Sequence, residues 1–381
     1  MISVLPAIGR SLRIADYQIA AVFALSAVLW FLASPVWGRL SDRHGRKRLI
    51  LIGTFGFVVS CVSFGAAIAL GLRGGYEPMS VFILFLIARG IFGLFGSATN
   101  PASQAYIAER TAPQSRMAGM ASLAGAYGLG TLIGPLIAPL MVLPPVGLAG
   151  PLYGFAALGL VTIIAVWSGL EEGGPTSIVE PVAPRPDAGK LPSIWRDPRV
   201  RPFLVYAFFA AACQTGQLQM LGFLIIDRLA LSPDQAQPFV AWALLAGAAA
   251  ALVAQGILIS FKSITSHKLL IVAAVLCAIG SLMMIWPATF AMAVAGYSVA
   301  SFGFGLARPG YTTSASMAAR QTDQARVGGA IAAVNGVNVL LAPAFVWLYG
   351  KIHYVPFLIV ALIMGALAAQ TGMRVDRVAA S

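Results

Sequence analysis

Apolar residues in this chain come in long runs rather than alternating. Eleven of them fall near 17–37, 49–72, 80–109, 117–142, 151–169, 201–227, 237–260, 268–286, 289–316, 326–349 and 353–371. A bilayer core of about 30 Å needs about 20 apolar residues per helical span, and the runs have that length rather than the short alternating pattern of a barrel strand. The pattern predicts an all-α membrane protein with eleven full spans. Trp37, Trp167, Trp195, Trp286 and Trp347 fall near the ends of runs, as an interfacial aromatic belt requires. The polar, proline-rich segment 170–199 reads as a flexible linker.

Composition agrees with that pattern. The 381 residues are 59% hydrophobic and 10% charged, and the mean hydropathy is +0.85, far above a soluble domain. The net charge of +12 would suit a nucleic-acid partner were it not for where the cations lie. With the loop at 39–48 placed inside, eighteen cations fall in cytoplasmic segments and five in outer loops. This positive-inside asymmetry orients the protein, puts the C-terminus in the cytoplasm and needs no nucleic acid. Cys61, Cys213 and Cys277 lie within apolar runs and read as small packing residues. His44, His267 and His353 are isolated in the sequence and read as solvated groups rather than metal ligands. No nucleotide loop, nucleophile–base set or metal spacing is present, which argues against an enzyme, a metal site, any cofactor or an ATP-driven pump.

The stretches flanking the linker resemble each other. The segment beginning FGSATNPASQAY aligns with the one beginning FGLARPGYTTSA, bringing Arg110 opposite Arg320 and Arg116 opposite Arg326, and LRIADYQ at 12–18 pairs with LALSPDQ at 229–235. Such a repeat predicts a duplicated architecture. The expected divisions are an N-terminal bundle over 1–169, a linker over 170–199, a C-terminal bundle over 200–373 and a cytoplasmic tail over 374–381. Because the second half carries a whole span before LALSPDQ, about 17 residues of a first span are expected to be missing, with MISVLPAIG as its stump. A late start codon or a truncated chain explains this, and a genuine eleven-span protein is the alternative. The first complete run is therefore counted as the second span.

The segment Gly38 to Arg48, GRLSDRHGRKR, packs five cations and one carboxylate between two spans. Gly38 and Gly45 suit a tight turn and close helix approach, and Asp42 can cap a helix or pair with a cation. Gly38, Leu40, Asp42, Gly45, Arg46 and Lys47 match G-x-L-x-D-x-x-G-R-K, and the chain thereby resembles the major facilitator superfamily. The resemblance implies two pseudo-symmetric six-helix bundles around a central cavity that opens alternately to each side, with this loop as a gate in which Asp42 and Arg46 latch the halves together. A topology signal without a mechanical part is the other reading of the same residues. The counterpart loop from Gly256 lacks the acid, so a latch would be asymmetric.

Gly130, Gly134 and Pro135 in the fifth span resemble the G-x-x-x-G-P signature of the superfamily's drug/proton antiporters, although Ala138 and Pro139 stand where that signature has glycines. Close helix packing and a proline bend are what such residues supply physically. Arg89, Gly93, Ser97, Asn100 and Gln104 recur at helical spacing in the fourth span and predict one polar stripe facing the cavity. The position of Arg89 resembles the fourth-span arginine linked to proton coupling in the superfamily, with anchoring on backbone carbonyls as the alternative. Tyr127, Gln214, Gln217, Arg308, Asn335 and Asn338 are further cavity candidates, Ser298, Ser301 and Gly305 sharing a face with Arg308. Each could instead join neighbouring helices. No carboxylate lies deep in a span, and Asp227 is nearest, so it is the second coupling candidate.

These features favour a monomeric, multi-pass secondary transporter in the cell (inner) membrane, with the bilayer and a small-molecule substrate as its partners. Its expected work is proton-coupled export of drugs or hydrophobic small molecules, driven by the proton gradient. A proton-linked importer or facilitator of a small metabolite is the first alternative and a non-transporting membrane sensor the second.

Overall fold

The computed structural model describes residues 4–111, 122–123, 126–127, 129–130, 133–134, 137–144, 146–171, 194–230, 232–260, 266–320 and 323–379. These residues form helices joined by short turns, with no strand among them. They divide into two compact units, 3–190 and 191–381. The first unit holds α1 (Leu5–Ser11), α2 (Asp16–His44), α3 (Arg46–Leu72), α4 (Pro78–Ile91), a π-helical turn (Phe92–Gly96), α5 (Thr99–Arg110) and α6 (Gly150–Gly169). The second holds α7 (Arg201–Leu229), α8 (Pro233–Ser260), α9 (Ser266–Met283), α10 (Phe290–Ala318), α11 (Gln324–Val337), α12 (Ala342–Lys351) and α13 (Val355–Ala379).

Among the described residues, nine helical segments are long and apolar enough to cross a membrane, and His267–Met283 is a shorter apolar helix. In lipid only a backbone that satisfies its own hydrogen bonds can cross, so apolar runs of this length fold as helices. Most of the 117–142 run lies outside the described residues. The run over 80–109 is not one regular helix but α4, the π turn and α5. The run over 326–349 is broken by a 3-10 turn at Asn338–Leu341. Thr289 begins α10 by accepting a hydrogen bond from the Met292 N–H at 3.2 Å, satisfying one otherwise free amide of the first turn.

In the first unit, the short helix α1 buries Leu5 and Ile8 and is tied to the start of α2 by Arg10, which pairs with Asp16 at 2.6 Å. In the second unit α7 is the most enclosed helix, with 72% of its central apolar window buried. Leu204, Ala207 and Cys213 of α7 join a core with Leu270, Cys277, Ala300 and Phe304. Helices α9 and α10 meet along small residues, because van der Waals contact rather than water exclusion holds helices together in lipid. A Cβ on Gly303 would stand 2.7 Å from both the Ala273 carbonyl oxygen and the Cys277 sulfur.

That seam makes a direct prediction. Gly303→Leu forces α9 and α10 apart and destabilises the protein by about 1–3 kcal/mol or more, read as a lower unfolding temperature in detergent. Gly365→Leu, at a glycine facing open space on α13, leaves that temperature unchanged.

Candidate functional site

The basic segment is a helix corner. Helix α2 continues through Gly38, Leu40 and Asp42 to His44, and α3 starts at Arg46, so a single residue turns the chain. That residue is Gly45, with φ of 93°, a conformation unfavourable for residues bearing a Cβ. The turn expected at Gly38 is therefore absent. Its neighbours Arg39, Leu40 and Ser41 are compatible with helix, and a Cβ on Gly38 would meet open space rather than a close neighbour. Gly45, not Asp42, occupies the N-cap of α3. The Asp42 side chain lies outside the described residues.

Around this corner the cations join helix ends. Arg46 pairs with Glu109 of α5 at 2.6 Å and donates to Ser41 of α2 at 3.0 Å. Lys47 donates to the Trp167 carbonyl near the end of α6 at 2.7 Å, where unsatisfied carbonyls and the helix dipole favour a cation. Arg110 pairs with Glu171 at 3.0 Å, and that hydrogen bond stabilises its protonated form. The second unit has its own ionic group, with Arg326 paired to Asp323 at 2.9 Å and Arg199 to Asp197 at 2.8 Å. Hydrogen bonds from the Arg199 side chain and backbone hold the Asp197 carboxyl down at about 2, with the Arg320 charge adding to the effect. Its ordinary value is near 3.8, so this contribution is complete above pH 4 and is lost as pH falls through about 2. The counterpart corner, from Gly256 to Lys268, is described only up to Ser260 and from Ser266.

The stripe expected along the fourth span is divided. A π turn at Phe92–Gly96 interrupts the regular α-helical spacing between α4 and α5 on which the stripe rests. Arg89 is buried, its guanidinium carbon 4.5 Å from the centre of the Phe92 ring and 5.4 Å from that of Phe23 on α2. Gly93 lies against Ser26 and Leu29 of α2. Ser97 is fully buried and donates to the Leu94 carbonyl at 2.8 Å. Arg89 and Gly93 thus contact α2, and all three residues are buried. Asn100 and Gln104 lie beyond the π turn and are more open. Gln104 donates to the Asn100 side-chain oxygen at 2.8 Å, and the Tyr127 hydroxyl lies 3.4 Å from the same oxygen.

The second unit sorts its polar groups similarly. Gln217 is buried and donates to Ser281 of α9 at 2.5 Å. Asn338 is buried and donates to the Val334 carbonyl at 2.7 Å. Both are cavity candidates by spacing; each spends its amide N–H inside its own unit and keeps a side-chain oxygen without a hydrogen-bond partner among the described residues. Ser301 is buried as well, and Gly305 meets the backbone of Ala251 on α8. Gln214 and Arg308 are exposed, and the half-buried Asn335 lies 3.3 Å from the Tyr311 hydroxyl. Among the described residues nothing stands within 4 Å of a Cβ placed on Gly130 or Gly134, and most of the segment around them lies outside the described residues. Pro135 lies outside the described residues.

His353 is not isolated as its sequence position suggests. Asp227, at the end of α7, accepts a hydrogen bond from the Tyr349 hydroxyl at 2.8 Å, and His353 Nε2 stands 3.6 Å from the same carboxylate oxygen. The Tyr349 and His353 rings meet edge-on at 4.9 Å. Next in the chain, Arg228 lies over the Trp286 ring at 4.5 Å. Sequence reading missed Glu109, Glu171, Tyr349 and His353. The available signal was that each stands at the end of an apolar run, where run ends from distant parts of the chain converge.

A bundle of apolar helices in two units, with buried polar groups joining helices and others left open at membrane depth, is the fold of a membrane transporter rather than an enzyme. Residues 1–343 match the model of the Major Facilitator Superfamily, and the chain belongs to that superfamily. It is similar to Multidrug resistance protein 2 of Bacillus subtilis, 30% identical over 135 residues, covering 35% of this chain and 31% of that protein. Over 151 residues it is 28% identical to the Staphyloferrin B transporter of Staphylococcus aureus, covering 39% of this chain and 31% of that one. These matches span about a third of each relative's length. Among solved structures, a mutant of the peptide transporter POT in complex with sulfate superposes with a TM-score of 0.73 at 13% identity, covering 99% of this chain and 91% of that one. An inward-facing, occupied bacterial homologue of the human lysosomal transporter Spinster gives 0.68 at 12% identity, covering 98% and 92%.

The Arg46–Glu109 pair supplies a test of the corner. Both side chains are partly exposed, so Glu109→Gln costs no more than about 1 kcal/mol. The expected result is a slightly lower unfolding temperature in dilute buffer, with the difference shrinking at about 1 M salt, where the screening length is only about 3 Å.

Proposed function

We propose that this protein is a monomeric secondary transporter of the cell (inner) membrane that works by alternating access and exports drug-like or hydrophobic small molecules in exchange for protons. The observation that carries the reading is the sorting of polar groups at membrane depth. Gln217, Ser281, Ser97 and Asn338 are buried and each donates a hydrogen bond inside its unit, whereas Gln104, Tyr127, Gln214 and Arg308 stay exposed. Exposing such groups to lipid is unfavourable, so these faces turn to an aqueous path. A few amides and hydroxyls in an otherwise apolar wall suit weakly polar, amphiphilic solutes. The likeness to proteins named for multidrug resistance supports the direction of transport. The cation asymmetry supports placing the Gly45 corner and the C-terminus in the cytoplasm.

Proton exchange is assigned to Asp227 with His353 and Tyr349. A carboxylate that accepts from the Tyr349 hydroxyl at 2.8 Å and stands 3.6 Å from the His353 ring nitrogen has polar neighbours close enough to exchange a proton with it. Arg89, enclosed by two aromatic rings, holds α2 to the fourth span and plays no direct part in proton transfer. A second reading, a proton-linked carrier of a small anionic metabolite, is favoured by the exposed Arg308, which would meet a negative group on the solute.

Flux measurements in proteoliposomes test both the gradient and the residues. A pH gradient should drive a fluorescent lipophilic dye against its concentration, and a proton ionophore should abolish the movement. Asp227→Asn should slow gradient-driven flux at least about tenfold, equal to about 1.4 kcal/mol, while leaving downhill dye exchange in place. Equal flux under gradients of either sign would reject proton coupling.

A further inference from the structure

A groove of about 430 Å³ opens on the side of the first unit. Leu51, Ile52 and Phe55 of α3 form one wall, Phe95 of the π turn its floor, and Ile163 and Trp167 of α6 the other wall. No residue lining it is charged. Its sides are exposed, with Phe55 at 59% and Trp167 at 70%. A helix face repeats every three to four residues, so stepping back one turn from Leu51 and Ile52 reaches Lys47 and Arg48 on the same face of α3. One turn is about 5.4 Å along the axis, which places two cations directly beyond one end of an apolar channel. Lys47 is already held there by its bond to the Trp167 carbonyl, and an ammonium has three donors, so that bond leaves capacity for an anion. Arg48 is exposed, as is Arg43 in the last turn of α2. Two acids at this corner are engaged, Glu109 by Arg46 and Glu171 by Arg110.

An apolar channel that runs along α3, with cations one turn beyond its end and a tryptophan beside them, has the polarity of a phospholipid. We propose that the groove is a binding site for one anionic phospholipid of the leaflet next to the Gly45 corner, with an acyl chain between α3 and α6 and the phosphate on Lys47 and Arg48. The charge at the rim selects the headgroup, since each cation near an anionic membrane surface favours acidic over neutral lipid by about fivefold. Occupancy would join the ends of α3 and α6 at the corner where Arg46 and Lys47 already tie helices together.

Fluorescence quenching tests the site without needing a transport assay. The full chain is reconstituted in phosphatidylcholine with increasing fractions of phospholipid carrying brominated acyl chains, which quench a tryptophan on contact. The Trp167 signal is the difference between the protein and its Trp167→Phe variant. Brominated phosphatidylglycerol should half-quench this signal at a mole fraction at least about fivefold lower than brominated phosphatidylcholine does. The double variant Lys47→Gln, Arg48→Gln should remove that preference, and Val59→Phe, which fills the groove, should weaken quenching by the anionic lipid while both cations remain. The same dependence for both lipids on the unaltered protein would mean ordinary boundary lipid and overturn the proposal. A preference that survives in the double variant would overturn the assignment of the headgroup to these cations. If the double variant does not fold, Arg48→Gln alone and the two-lipid comparison on the unaltered chain still decide the matter.

Discussion

A polar group inside a hydrocarbon layer must find a partner or water, and that constraint governs how this chain is built. The backbone meets it by remaining helical across every described crossing. Side chains meet it in two ways. Gln217 reaches Ser281, Asn338 bonds a backbone carbonyl one turn away, and Arg89 lies against two aromatic rings. Gln104, Gln214 and Arg308 are left open within their units. The first kind is held within its own unit, and the second is where the proposed solute path would run.

The same constraint explains why charge gathers at helix ends. At the Gly45 corner Lys47 stands on the Trp167 carbonyl near the end of α6, and Arg46 and Arg110 pair with Glu109 and Glu171. The corner thus ties together helices of its own unit. At the end of α7, Asp227, Tyr349 and His353 form a smaller cluster around a titratable carboxylate. Membership in the Major Facilitator Superfamily gives these features a common setting, because a carrier needs rigid units and polar groups that meet its cargo.

The spans were legible in the sequence because about twenty apolar residues in a row have few other ways to fold. Less legible was where a helix stops. Arg39, Leu40, Ser41 and Arg43 are no obstacle to a helix, so α2 runs on through what reads as a polar loop until Gly45 turns it. The π turn in the fourth span has no compositional mark beyond the glycines of FGLFG, and neither it nor the burial of Ser97 against the exposure of Gln104 is legible in the spacing. Gln214 and Gln217 show the limit of spacing. Three residues apart puts them about 60° from each other around the helix, enough to carry one across the boundary between packed and open surface. Asp227 and His353 meet only in the folded unit, through a separation that no local pattern spans.

Accessibility to water along the spans is the most direct measure of this division. Cys61, Cys213 and Cys277 are buried at 1% exposure or less, so a membrane-impermeant maleimide starts from a silent background. Single cysteines introduced at positions 104, 214 and 308 should label readily in reconstituted protein, while those at 97, 217 and 338 should not. Labelling at 97, 217 and 338 as fast as at 104, 214 and 308, or faster, would contradict the account, because the buried amides would then belong to the aqueous path and the helix packing assigned to them would fail.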